Sequence, residues 1–291
     1  MICFPNAKIN IGLNIIRKRD DTYHDIESVM YPLTGIVYDA LEVVRSEEFG
    51  VRSSGIKISG SENENLCVKA YNLLSKDFSI PPINIYLHKA IPMGAGLGGG
   101  SADAAGMIHL LNDTFNLGVG YGEMRHYAKQ LGSDCSFFVA NKPAFAEGKG
   151  DELEPVNLDL SNYHIAVIYS NIHINTATAY SEFDKAEGRR KKASPQKSSF
   201  GNGRLENLIQ MPIEKWKNNI VNDFEEPVFA KHPLLSKIKE KLYSLGALYA
   251  SMSGSGSAVY GIFNKEPTVN KKFSEYEVWE GKLKRDVRCE M

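Results

Sequence analysis

Cysteine is scarce in this chain and follows no pattern. The four that occur, Cys3, Cys67, Cys135 and Cys289, fall in neither C-x-x-C nor Cys/His metal spacing, which argues against a zinc site and against a disulfide scaffold. A reducing, cytoplasmic setting is expected. An excess of either charge is missing too: 34 Lys and Arg face 35 Asp and Glu, a formal net charge of -1. No general field therefore draws nucleic acid or an anionic membrane. No apolar run approaches the ~18 residues of a membrane span, and Met1-Ile2-Cys3-Phe4-Pro5-Asn6 lacks a charged-then-apolar signal. The expectation is a soluble protein with neither nucleic acid nor membrane as partner. At 291 residues, 43% hydrophobic and 24% charged, the chain can bury a large core and is long enough for two domains.

Glycine, by contrast, is concentrated. Pro92 to Ala105 holds five glycines and Ser101 at the point where a strand hands over to a helix. Ile83, Ile85 and Leu87 alternate with Asn84, Tyr86 and His88, as in a half-buried strand. After Ser101, read as an N-cap, Ala102, Ala104, Ala105 and Gly106 lead into Met107, Ile108, Leu110 and Leu111. Glycine lets backbone N–H groups turn inward on an anion, and the following helix adds its positive end. The segment reads as a phosphate loop. Gly94, Gly96 and Gly99 satisfy G-x-G-x-x-G literally, yet some 80 residues precede the strand, and H-R-D and D-F-G are absent. Gly94 and Gly99 have Walker A spacing, but Gly100 stands at its lysine. A flexible linker is the plain alternative, and tight apolar periodicity on both sides argues against it.

Along the rest of the chain, Ile9, Ile11, Leu13 and Ile15 mark an opening strand whose even-numbered face carries Lys8 and Asn10. Strand-like stretches follow to about Ile58, then helices at Asn65 to Lys76 and Tyr121 to Leu131. Gly132 stops the latter, and Ser133 is a candidate cap that places Asp134 in a first helical turn. The pattern resets around Asn157 to Ser161. Tyr163 to Tyr169 begins a second strand system, and helices near Thr176, Asn222 and Pro233 follow. Strands at Ala247 to Met252 and Ala258 to Phe263 flank a Gly/Ser turn, which on its own reads as a hairpin loop. The basic run from Asp184 to Arg204 sits among Ser, Gly and Pro with no aromatic interleaving beyond Phe200, so a solvated loop is expected.

Three segments together are more specific than any one: Pro5-Asn6-Ala7-Lys8-Ile9-Asn10, Pro92 to Ala105, and Ser251-Met252-Ser253-Gly254-Ser255-Gly256-Ser257-Ala258-Val259. The chain resembles the GHMP kinase superfamily. Asp21-Thr22-Tyr23-His24-Asp25-Ile26-Glu27-Ser28, Glu64-Asn65-Leu66, Gly132-Ser133-Asp134 and Asn222-Asp223-Phe224-Glu225 resemble its branch acting on a cytidine-diphosphate-linked methylerythritol. The likeness runs from residue 5 to about 263. It implies an α+β fold in two domains: an N-terminal one (1–158) like ribosomal protein S5 domain 2, and a ferredoxin-like C-terminal one (159–291), with the active site between them. It also implies transfer of a phosphoryl group from ATP, with magnesium, to the 2-hydroxyl of that sugar alcohol, a step of the non-mevalonate isoprenoid route. A monomer or homodimer is expected.

Such a transfer needs a positioned nucleophile and balanced charge more than covalent help. The resemblance makes Asp134 the general base and sets Lys8 beside it, to stabilise charge developing on the substrate oxygen or phosphoryl group. The bland readings are an aspartate favouring a helix dipole and a surface lysine at a strand start. Asn10 is expected to bond substrate or phosphate. Pro92, Met93, Gly94, Ala95, Gly96, Leu97, Gly98, Gly99, Gly100 and Ser101 are expected to hold the ATP phosphates, while Asn65, Leu66 and Lys89 match positions near the adenine. Tyr23 and His24 match the cytidine end, where His24 would read the base edge. Tyr180 falls where the family has an aromatic that stacks on cytosine, and Met30 replaces an aromatic of some relatives opposite it. Thr22, Ala95 and Ala102 also depart from the pattern, and Ala102 leaves Ser101 as the lone hydroxyl there. No carboxylate ligand for magnesium follows from spacing. Alternatives are a homoserine or mevalonate type of kinase, a non-catalytic nucleotide- or metabolite-binding member, and a dinucleotide-dependent oxidoreductase.

Overall fold

Period-2 alternation produces a long opening hairpin. The computed structural model describes residues 1–58, 60–193 and 204–284. β1 (Ile2–Cys3) precedes β2 (Lys8–Lys18) and β3 (His24–Pro32), followed by β4 (Ala40–Arg45), β5 (Gly50–Gly55), α1 (Leu66–Leu74), β6 (Ile83–Lys89) and α2 (Gly99–Phe115). Next come α3 (Tyr121–Leu131), α4 (Cys135–Ala140), β7 (Ala144–Glu147), β8 (Glu152–Pro155) and β9 (His164–Tyr169). The chain continues through α5 (Thr176–Ala193), α6 (Leu205–Leu208), α7 (Glu225–Lys231), α8 (Pro233–Ser244), β10 (Tyr249–Met252), β11 (Val259–Phe263) and β12 (Glu277–Lys282).

The strands form three four-stranded sheets among the described residues, in the orders β1-β4-β6-β5, β2-β3-β7-β8 and β10-β11-β9-β12. All pairs are antiparallel except β5 with β6. The first sheet packs Leu41, Val43, Ile85 and Leu87 against Met107, Ile108 and Leu111 of α2. Ile9 and Ile11 of β2 join a second core with Ile165, Val167, Trp216 and Tyr260, whereas Leu13 and Ile15 join a third with Ile168, Met252 and Leu242. The division falls at a bulge where Gly12 takes φ +68 against Ile220 and Leu205, a backbone state that glycine adopts freely. The odd side of β2 is thus committed to cores that involve both ends of the sequence. Its even side presents Lys8 and Asn10 elsewhere. No described helix is long and apolar enough to cross a membrane.

Two helix starts differ from expectation. Gly98, at φ +73, is the N-cap of α2, so Ser101 lies inside the first turn; a left-handed glycine turns the chain into the helix without a capping side chain. Asp134 occupies the N-cap position of α4 rather than its first turn. The expected loop over Asp184 to Arg204 is helical through Ala193 as part of α5; Glu182, just before it, pairs with Lys185 one turn on (2.8 Å) and with Lys231 near the end of α7 (3.0 Å), which ties this part of the helix to its neighbour. Residues 194–203 lie outside the described residues.

Buried Asn222 ties the C-terminal segments together. Its Nδ2 donates to the carbonyls of Met252 and Gly254, both at 2.8 Å, and its Oδ1 accepts from Phe224 N at 3.0 Å. Asn222→Ala strands these groups, and a loss of about 2–3 kcal/mol is expected in urea denaturation; a loss below about 0.5 kcal/mol would contradict this.

Candidate active site

The glycine loop alternates two kinds of position. Gly94, Gly96 and Gly98 take φ of +67, +78 and +73, while Ala95 and Leu97 between them are buried at 1% and 0% exposure in the second core. The apolar pair anchors the loop, and the glycines, with Ser101, line a cleft of about 370 Å³. At Gly96 a Cβ would collide with the Ser253 carbonyl oxygen. Ser253 Oγ donates to Gly96 O at 2.7 Å, and Ala258 N donates to Ala95 O at 3.0 Å. The turn between β10 and β11, expected as a bare hairpin loop, therefore braces the glycine loop from behind.

Lys8 and Asn10 open onto the same cleft. Lys8 N donates to Leu97 O at 2.9 Å, which fixes β2 to the loop. Its Nζ stands 3.2 Å from Asp134 Oδ2 and donates to Asn10 Oδ1. Asn10 Nδ2 donates to Ser28 Oγ at 2.8 Å, and Ser28 Oγ donates to Gly12 O at 2.7 Å. This relay orients the amide so that its oxygen meets the ammonium. The Lys8 side chain is 4% exposed and that of Asp134 28%, so the cation is sheltered while the carboxylate reaches the cleft. Burial pushes the neighbouring Cys135 thiol up to about 11, against the lowering hydrogen bond of Ser101, which leaves it a poor nucleophile.

At the other end of the cleft, Tyr180 stacks on His24, with ring centroids 4.6 Å apart and planes at 12°. Phe224 meets Tyr180 edge-on at 4.8 Å. His24 Nε2 lies 2.8 Å from Asp184 Oδ1, leaving Nδ1 as the remaining polar atom of the ring, and Lys18 Nζ is 2.5 Å from Asp184 Oδ2. Burial raises the Asp184 carboxyl, but the hydrogen bonds from Lys18 and His24 outweigh it and hold the group below its ordinary range. Burial and the charge of Asp134 push the Tyr180 hydroxyl up to about 12, so the ring stays neutral. Met30, 1% exposed, lines this part of the cleft with Ile26.

The sequence matches the models described as GHMP kinases N terminal domain over residues 65–142 and GHMP kinases C terminal over residues 205–277. It is 46% identical over 286 residues to a 4-diphosphocytidyl-2-C-methyl-D-erythritol kinase of Parabacteroides distasonis, covering 97% of this chain and 100% of the relative. A kinase of the same name from Bacteroides fragilis is 46% identical over 275 residues, covering 93% and 95%. The chain belongs to the GHMP kinase family. A crystal structure of 4-(cytidine 5'-diphospho)-2C-methyl-D-erythritol kinase superposes with a TM-score of 0.79 at 26% identity, covering 98% of this chain and 100% of the other. Mevalonate kinase of Methanococcus jannaschii shares the fold, with a TM-score of 0.68 at 14% identity over 98% of both chains. The architecture is thus the α+β arrangement of N- and C-terminal GHMP kinase domains, and ATP is the co-substrate implied by the family.

Within this GHMP kinase, the cleft gathers Lys8, Asn10, Met30, Leu66, Gly94, Gly96, Gly98, Ser101, Asp134 and Tyr180 from the residues singled out by sequence. Other expected residues lie differently. Asn65 caps α1, its Oδ1 accepting from Cys67 N at 2.9 Å. Pro92 is buried, Met93 is 37% exposed, and Gly99 and Gly100 sit inside the first turn of α2. Tyr23 is 59% exposed, with the Lys149 ammonium 4.4 Å from its ring, and it is not part of the cleft wall. Lys89, expected near the adenine, instead spends its ammonium on Asp39 and Asp103 in the interior; two carboxyl groups hold it there. Residues that sequence reasoning missed are Asp184 behind His24 and the hydroxyl pair of Thr176 and Ser255, 3.0 Å apart on the cleft wall. In sequence, Ser255 is marked by the Gly/Ser turn and by the Ser251 to Val259 segment that carries the resemblance, neither of which pairs it with Thr176. Gly96→Ala is expected to cost about 3 kcal/mol or more from strain and collision. Gly122→Ala in α3, whose new Cβ meets nothing within 4 Å, is expected to gain up to about 1 kcal/mol. Urea denaturation checks both, and equal effects would contradict the bracing contact.

Proposed function

We propose that the protein transfers the γ-phosphoryl group of ATP to the 2-hydroxyl of 4-diphosphocytidyl-2-C-methyl-D-erythritol in the cytoplasm, with Lys8 and Asp134 as its catalytic residues. The observation that carries this is the Lys8–Asp134 pair, 3.2 Å apart, in one cleft wall that runs from the glycine loop to Tyr180, with the buried His24 stacked behind that ring. In this reading the loop from Pro92 to Ser101, with Leu66 beside it, takes the nucleotide. Tyr180, His24 and Met30 take the cytidine end, and Asn10 bonds acceptor or phosphate. The names of the similar kinases support the acceptor, and the formation of a separate sheet by β9 to β12 supports a division between residues 158 and 159.

The chemistry follows from the arrangement. Asp134 accepts the proton as the acceptor oxygen forms its bond to the γ-phosphorus, and the bond to the β,γ-bridging oxygen breaks to release ADP. Lys8, sheltered and oriented by Asn10, balances negative charge that builds up between oxygen and phosphorus. Among the described residues no group of three or more His, Cys, Asp or Glu is arranged to hold a metal. A magnesium ion would therefore be carried mainly by phosphate oxygens and water, with the oxygens of Ser101 and Asp134 on the cleft wall suited to a hard cation. Such an ion supplies neutralisation of phosphate charge.

An ATP-consumption assay with magnesium, run with this acceptor, homoserine, mevalonate and no acceptor, tests the proposal. Turnover is expected with the cytidyl acceptor alone, falling by about 10²-fold or more in Asp134→Asn while both substrates still bind. Turnover confined to another acceptor, or an unchanged rate in the variant, would overturn it.

A further inference from the structure

The interior ion cluster behind the glycine loop is the buried charged group that the reaction itself does not use. Lys89 ends β6, and its side chain is 1% exposed. Its ammonium contacts Asp39 Oδ2 and lies 2.7 Å from Asp103 Oδ2; these carboxyl side chains are 0% and 4% exposed. Asp39 uses its other oxygen on the backbone, accepting from Ala90 N at 2.6 Å and Ile91 N at 2.9 Å. Asp103 is the fifth residue of α2. The cluster thus grips the chain where it enters the glycine loop, at residues 89 to 91, and again one turn after it leaves. A Cβ at Gly99 would stand 3.2 Å from Lys89 Nζ and 2.7 Å from Ile91 Cγ2, so the ammonium lies directly under the first turn of α2.

We propose that Asp39, Lys89 and Asp103 act as positioning residues that set the spacing between the two ends of the glycine loop and thereby its affinity for nucleotide. This rests on the reading of that loop as the cradle of the ATP phosphates. Between the two grips, three glycines with positive φ leave the backbone with little stiffness of its own. The contacts of Ala95, Gly96 and Leu97 hold the middle of the loop, and the cluster holds its two ends, where the spacing of the outer N–H groups is set. The burial of all three side chains supports a fixed rather than a mobile role. Burial, together with the charge of Asp39, drives the Asp103 carboxyl up against the lowering pull of Lys89. Lys89 itself is held above its ordinary value, its burial being outweighed by the two acids. Asp103 Oδ1 is buried without a hydrogen-bond partner. A proton on Asp103 leaves one ammonium facing one carboxylate, which is the neutral combination that an interior tolerates.

Asp103→Ala removes the grip on α2 and leaves the Lys89–Asp39 pair. Asp103→Asn keeps an oxygen for the ammonium and places an NH2 where the protonated acid would carry its hydrogen. The expected result for Asp103→Ala is a rise of about ten-fold or more in the KM for ATP and in the Kd of ADP by calorimetry, with the acceptor KM within about two-fold. Asp103→Asn is expected to stay within about two-fold of wild type on all three. If Asp103→Ala does not fold, Asp103→Ser, too short to reach the ammonium, takes its place with the same expectation. Wild-type nucleotide affinity in the folded Ala or Ser variant would overturn the proposal, as would equal losses for ATP and acceptor. Failure of the wild type itself to bind ADP would instead refute the assignment of the glycine loop.

Discussion

Everything about this site depends on a close approach between two turns far apart in sequence. Gly96 and the Ser253 carbonyl stand too near for any side chain between them, and Ser253 spends its hydroxyl on Gly96 O while accepting from Asn10 N at 3.2 Å. Through those contacts the glycine loop, the strand carrying Lys8 and Asn10, and the turn between β10 and β11 become one rigid corner. The cost is confined to glycine, the residue that tolerates φ near +78. The benefit is that groups from residue 8 to residue 255 line a single cleft.

Charge is placed sparingly around that corner. Lys8, Asp134 and Lys149 are the charged residues on the described cleft wall, and the first two face each other. Lys8 is sheltered on a strand whose opposite side is locked into a core, so its ammonium cannot wander from the carboxylate; pre-organisation of this kind is what phosphoryl transfer asks of a protein. Two further ion clusters among the described residues lie away from the Lys8–Asp134 pair and bear on the cleft. One set orients His24 through Asp184 and Lys18, and the other sits beneath the glycine loop.

Local pattern carried much of this. Lys8 and Asn10, two apart on an alternating strand, had to share a face, and the strand, glycine loop and helix appear in the expected order. Their partners were less legible. Lys89 lies 50 residues from Asp39 and 14 from Asp103, and nothing local in a lysine at the end of a strand announces that two acids will enclose it. Serine is the usual sequence signal for a helix start, whereas at α2 a left-handed Gly98 does that work and Ser101 falls inside the first turn. The basic run after Asp184 read as a loop from composition, whereas helix α5 continues to Ala193 with Glu182 paired to a lysine on another helix. Function was legible only where three distant segments were read together, since each alone fits a bland structural role.

The measurement that bears most directly on the central claim is a crystal structure with a non-hydrolysable ATP analogue and the cytidyl acceptor bound together. The account requires the terminal phosphate over Gly94 to Ser101 and the acceptor 2-hydroxyl within hydrogen-bond distance of Asp134, with Lys8 beside both. An acceptor hydroxyl out of reach of Asp134, or a nucleotide bound away from the glycine loop, would contradict it.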